Sequence, residues 1–354
     1  MKYLVVYVIL VSKLCLSQIP PGYYTPAAGL TGAPLKLALH NIIKSHSVVS
    51  YAGLWTAFQK TDITPTGKVW DIYSDIPSGT PPYIYTFVSD QCGSYSVEGD
   101  CYNREHSWPQ SWFSSVTGPV SDMFHIYPTD GKVNGLRSNY PYGNVSTASW
   151  TSLNGSKLGI SSDLGYSSTV FEPIDEYKGD LARGFFYMST RYFSEDGSWS
   201  FSDATNKSDI LPWEVNVLLQ WHHDDPVSAK EIARNDSIYY RFQHNRNPFI
   251  DNPQWADSIW KVDLTLFVKD NELKNAFSIF PNPAVDSFTI LSKLNDGNSV
   301  KHIKITTING EVIEENDVTF TDYKSYDCKM WASGLYFITI SSEKSISNFR
   351  FLKL

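Results

Sequence analysis

The chain has 354 residues, 42% hydrophobic and 19% charged, with a formal net charge of −8. That length suggests about two domains, and the composition excludes a disordered chain. The negative balance excludes a protein that holds nucleic acid by bulk electrostatics, but not one that borrows local positive charge from a metal ion.

Residues 1–17 open on Lys2, run apolar from Leu4 to Val11 and end on small Ser17, the pattern of a secretory signal peptide. The run is too short to cross a membrane, and no later stretch is apolar and long enough, so no membrane span is expected. Three cysteines follow, Cys92, Cys101 and Cys328. In an exported chain Cys92 and Cys101 read either as a disulfide closing a glycine-containing loop or as two free buried thiols, and Cys328 is left unpaired.

Leu35, Leu39, Ile42 and Ile43 recur at helical spacing, and Leu54 to Gln59 reads as a second short helix. The stretch KVWDIYSD, residues 68–75, alternates like a strand. Gly, Ser, Pro and Tyr dominate residues 76–168, which predicts loops carrying a few short elements. Residues 179–193 read as an amphipathic helix. Leu181, Phe185, Met188 and Tyr192 form its buried stripe, with Arg183, Tyr187 and Arg191 on another face.

Residues 212–243 read as two helices split at Pro226, with Pro212 starting the first and Asp225 or Ser228 capping the second. His222 to Asp225 look like a metal cluster, but their place at a helix end before a proline favours capping and dipole roles. Near Asn271 the pattern changes to short alternating strands with turn signals at Asn309-Gly310 and Ser333-Gly334, a small all-β sandwich.

The chemistry concentrates in CYNREHSWPQSW, residues 101–112. His106 titrates near neutrality and suits a general base. Glu105 supplies oxygen for a hard cation. Adjacent strand residues point to opposite faces, so both serve one site only if the strand ends there, and Pro109 predicts such an end. Further on, Pro128-Thr129 reads as a helix start capped by Thr129, with Asp130, Asn134 and Arg137 on one face. Asn134 offers a carbonyl oxygen to a metal, and Arg137 either meets a phosphate or braces an acidic residue. The aromatic residues around Trp108 and Trp112 read as core, Arg246 and Asp251 as a buried network, and Arg183 and Arg191 as either phosphate contacts or salt-bridge partners of Asp180 or Glu172.

Residues 90–113 and 122–143 together resemble the bacterial endonuclease I family. The likeness continues in residues 68–75, 170–188, 221–236 and 245–251 and spans roughly Leu35 to Asp251. It implies an α+β fold with a ββα-metal (His-Me finger) site. His106 would be the general base, with Glu105 and Asn134 binding Mg2+ (Ca2+ or Mn2+ as alternatives). The implied reaction is hydrolysis of DNA and possibly RNA. Phe124 departs from the family pattern, standing where a histidine is usual, with His125 beside it.

The C-terminal stretch, with FPNP and GLYF, resembles the sorting domain of type IX secretion; a fibronectin-like binding module is the competing reading. The expected layout is a signal peptide at 1–17, a catalytic domain at 18–265, a linker at 266–276 and a β-sandwich at 277–354. The expected protein is a secreted or surface-held monomer. A non-catalytic glycan-binding or adhesive protein on a degenerate nuclease scaffold is the alternative.

Overall fold

A computed structural model describes residues 19–260 apart from residue 115, and residues 277–354 apart from 293–299, 308–310, 320–322 and 343–344. The expected signal peptide, the linker VKDNELKN and the Asn309-Gly310 turn lie outside the described residues. The chain divides into two compact units, Met1–Lys261 and Val262–Leu354.

The first unit opens with helices α1 (Gly32–Ile43) and α2 (Leu54–Thr61). Strand β1 (Tyr102–His106) pairs antiparallel with β2 (Ile126–Asp130), which runs directly into helix α3 (Gly131–Arg137). Strands β3 (Val145–Thr151), β4 (Lys157–Ser161) and β5 (Thr169–Glu172) form a three-stranded sheet. Helix α4 (Lys178–Arg191) follows, then the short hairpin β6 (Thr205–Asn206) and β7 (Asp209–Ile210). Helices α5 (Pro212–Asp224), α6 (Ala229–Ile238), α7 (Pro248–Asp251) and α8 (Gln254–Trp260) complete the unit.

Three local expectations are corrected. KVWDIYSD is no strand: only Val69 bridges, to Ile63, and the Asp71 carboxylate takes the Tyr73 amide at 2.8 Å, turning the chain. The α3 cap is Asp130, whose side chain accepts from the Val133 amide at 2.8 Å, because pairing with Asn103 and Tyr102 holds Thr129 and Asp130 in β2. Helix α4 is buried on every face, not along one stripe. It is the central helix, and polar side chains along it are paired inside, Arg183 with Glu231 at 2.5 Å and Tyr187 with Asp122 at 2.9 Å, while Arg191 at its end reaches the exposed Glu195 at 3.0 Å.

Other features follow the local pattern. Pro212 stands at the first turn of α5, and Ser228 caps α6 through a capping box with Glu231. Trp108 and Trp112 are core residues, and Arg246 meets Asp251 at 2.6 Å.

Cys92 and Cys101 are bridged, their Cα atoms 5.7 Å apart, immediately before β1. The Gly131 amide donates to the Cys101 carbonyl at 2.9 Å, so the bridge also anchors the start of α3. Replacing both cysteines with serine is expected to cost about 2–3 kcal/mol, from the entropy of a loop this short, read by urea unfolding.

The second unit holds two antiparallel sheets. One has the order β11 (Val312–Thr319), β10 (Val300–Thr307), β13 (Gly334–Ser342), β14 (Ser345–Lys353), and the other β12 (Tyr323–Asp327), β9 (Ser287–Ser292), β8 (Phe277–Phe280). Phe288 and Ile290 of one sheet share a core with Ile303, Ile338 and Phe351 of the other, as a β-sandwich requires. Cys328 is buried there as a free thiol.

Candidate active site

Strand alternation divides β1 into two faces. Asn103 and Glu105 point one way, and α3 lies along that face. Asn134 donates from Nδ2 to Asn103 Oδ1 at 2.7 Å, and one turn later Arg137 Nη1 donates to Glu105 Oε1 at 3.0 Å. Tyr73 Oη donates to the same Oε1 at 2.8 Å. Burial raises the Glu105 pKa, and Arg137 and the Tyr73 hydroxyl offset only part of that rise.

Arg137 is wholly buried. Its fork also donates to the carbonyls of His106 and Ser107, and it lies over the Tyr142 ring at 4.5 Å. Of the two roles open to Arg137 in the sequence, the geometry gives it the brace.

Arg104 and His106 occupy the opposite face of β1. The strand ends at His106. The imidazole stacks on Tyr51, centroids 5.9 Å apart at 24°, and lies near Phe113 and His125. Nε2 sits 3.1 Å from the Val120 carbonyl. A carbonyl only accepts, so Nε2 carries the proton and Nδ1 keeps its lone pair. Burial foremost, then the His125 ring, lowers its pKa to about 3, so the ring is neutral near pH 7. The structure thus brings Glu105 to Arg137 and Asn134 to Asn103, and places the His106 ring across the strand from them.

The donors left over fit a hard cation. The Tyr73 and Arg137 side chains both donate to Glu105 Oε1, leaving Oε2 clear of those two, and the Asn103 tether on Nδ2 leaves Asn134 Oδ1 as an acceptor. A carboxylate oxygen with an amide carbonyl is an oxygen set suited to Mg2+, which retains waters and needs few protein ligands. Among the described residues no group of three or more His, Cys, Asp or Glu is placed to hold a metal. His222 instead meets Arg183 at 3.3 Å and the Pro253 carbonyl at 3.1 Å, and His223 meets Asp257 at 2.9 Å.

The family model for Endonuclease I matches residues 31–254. The chain belongs to the endonuclease I family. The extracellular ribonuclease of Bacillus amyloliquefaciens is 37% identical over 246 residues, covering 67% of this chain and 78% of its own. That of Bacillus subtilis (strain 168) is 36% identical over the same length and shares. Endonuclease-1 of Buchnera aphidicola subsp. Baizongia pistaciae is 28% identical over 130 residues, 37% of this chain and 46% of its own. A model for the secretion system C-terminal sorting domain matches residues 278–353, and with the extracellular relatives this makes the protein a secreted or surface-held nuclease. No helix among the described residues is long and apolar enough to cross a membrane.

In this endonuclease I member the residue departing from the family pattern, Phe124, is core: its ring lies 4.5 Å from that of Tyr187. His125 faces inward, with Nε2 2.6 Å from the Pro119 carbonyl. Sequence reasoning missed Tyr73, Asn103, Tyr142 and the Val120 carbonyl. Only Asn103 left a signal, being two residues before Glu105 and so on its strand face.

It also missed Glu214 on α5, a buried carboxyl with neither oxygen hydrogen-bonded and a pKa raised well above the usual range by burial. A raised folded pKa means the group's stability is fully present below its unfolded pKa and is lost as pH climbs through the folded one. Glu214→Gln is therefore expected to match the wild type near pH 4 and to gain Tm on it steadily as pH rises. Thermal melts across pH 4–9 check this; a constant difference would refute it.

Proposed function

We propose that the protein is an exported, Mg2+-dependent endonuclease that hydrolyses DNA and RNA phosphodiesters with little sequence preference. The observation that carries the reading is the β1–β2–α3 unit: oxygen donors from Glu105 and Asn134 on one side of a strand that ends on an imidazole with a free Nδ1.

In this reading His106 Nδ1 takes a proton from the attacking water, and its pKa, lowered by burial, keeps it unprotonated and ready. The Val120 carbonyl fixes the tautomer. Tyr73 and Arg137 hold the Glu105 carboxylate in place, and Arg137 also ties down the strand end through the His106 and Ser107 carbonyls. Glu105 and Asn134 are the residues that would hold the cation. When bound, Mg2+ polarises the phosphoryl oxygens and stabilises the charge on the leaving 3′ oxygen.

Water attacks, so no 2′-hydroxyl is needed, and DNA and RNA are equally admissible. The relatives' names, extracellular ribonuclease and Endonuclease-1, fit both. The C-terminal domain, of the kind that addresses proteins to type IX secretion, would deliver the nuclease outside the cell or to its surface.

The test is digestion of plasmid and of structured RNA by the full chain with Mg2+, Ca2+ or Mn2+, each with and without EDTA. Cleavage of both that EDTA abolishes is the expected result. Cleavage indifferent to EDTA would overturn the metal assignment, and no cleavage with any cation would favour a non-catalytic surface protein.

A further inference from the structure

The same strand carries a cation that the chemistry above does not use. Arg104 stands two residues before His106 and shares its face of β1, about 7 Å along the strand. Its guanidinium carbon lies 3.6 Å from the centre of the Tyr51 ring and 4.4 Å from that of Trp55, and Nη1 donates to the Tyr51 carbonyl at 2.7 Å. Tyr51 is 38% exposed and also stacks on His106, so one aromatic ring joins the imidazole to the guanidinium at the surface.

The other arginines near the core are committed. Arg137, Arg183, Arg191, Arg234 and Arg246 each lie within 3.0 Å of a carboxylate. Among the described residues Arg104 has no such ion pair. Two rings and a carbonyl fix its plane while leaving Nε and Nη2 outside those contacts. A planar fork held in this way is pre-organised for bidentate contact with a phosphate, at little further entropic cost. The need is also present: at net charge −8 the chain as a whole repels a polyanion, so backbone binding depends on cations placed beside the site.

We propose that Arg104 forms a phosphate subsite that takes the phosphodiester next to the one hydrolysed. This rests on the nuclease reading of the same strand and extends it to substrate length: a nucleic acid binds by the phosphate flanking the cut as well as by the scissile one. Arg104 is a binding residue, not part of the proton transfer.

Two measurements on the full chain test it. In a cleavage-deficient His106→Ala background, a fluorescein-labelled single-stranded oligonucleotide titrated by anisotropy reports binding without turnover. Adding Arg104→Gln is expected to weaken Kd about tenfold and to lower the slope of log Kd against log salt by about one contact. Arg104→Lys, which keeps the charge and loses the fork, should fall between.

In the wild-type background Arg104→Gln should raise KM for the oligonucleotide about tenfold with kcat within about twofold, while hydrolysis of bis(p-nitrophenyl) phosphate, a diester with no neighbouring phosphate, stays unchanged. Equal losses on both substrates would place Arg104 at the scissile phosphate and overturn the subsite. An unchanged Kd and salt slope in Gln and Lys variants that melt like their parent would overturn it too. Failure of the nuclease reading shows separately, as absence of cleavage by the wild type.

Discussion

His106→Ala is expected to lower kcat for plasmid cleavage about 100- to 10,000-fold while leaving oligonucleotide affinity close to that of the wild type. The reason lies in how the ring is held. Nε2 is engaged by the Val120 carbonyl, and the ring is packed against Tyr51, Phe113 and His125, so no rotation is needed to present Nδ1.

With its pKa lowered to about 3 by burial, the imidazole is already the free base throughout the neutral range. A weakly basic imidazole is a modest proton acceptor, so its contribution rests on position and on the acidity of the attacking water, which a divalent cation held by Glu105 and Asn134 would raise. Steady-state kinetics with a binding measurement decide the matter. A variant that keeps its kcat and loses only affinity would move His106 from base to substrate contact.

Arg137→Met is expected to cost about 3–5 kcal/mol of stability, because it strands a buried carboxylate. Arg137 has no exposed surface, and it compensates Glu105 at 3.0 Å while spanning the carbonyls of residues 106 and 107. Its removal leaves those acceptors without their donor as well.

A fall in Tm of about 10 °C is the expected readout. The double variant Glu105→Gln, Arg137→Met should recover part of that loss, since the uncompensated charge is gone. Additive losses in the double variant would mean that the two side chains act independently, and the ion pair would then not be the source of the cost.

The contrast between these residues shows how much of the site was legible. Glu105, His106 and Asn134 stand in recognisable runs, and the expectation that the strand ends near His106 came from Pro109. The partners that orient them did not show. Tyr73 lies 32 residues before Glu105, in a stretch whose alternation mimicked a strand until the Asp71 carboxylate turned the chain. The carbonyl that sets the His106 tautomer belongs to Val120, 14 residues away. Helix α4 was legible as a helix but not as the centre of the unit, because Arg183 and Tyr187 find their buried partners Glu231 and Asp122 far along the chain.

By itself, the sequence determined the elements and their boundaries wherever a local rule governs. These include the helical spacing of Leu35 to Ile43, the proline that starts α5 and the alternation of the C-terminal strands, whereas the choice between a disulfide and two free thiols, and between Asp225 and Ser228 as the α6 cap, was left to the fold. The tertiary structure alone decided which buried charge meets which partner, which nitrogen of His106 is free and that Arg104 beside it is held by rings and a carbonyl instead of a carboxylate. Periodicity and capping are written within a turn or two of chain, whereas burial and hydrogen bonding are satisfied by whatever the fold brings across tens of residues.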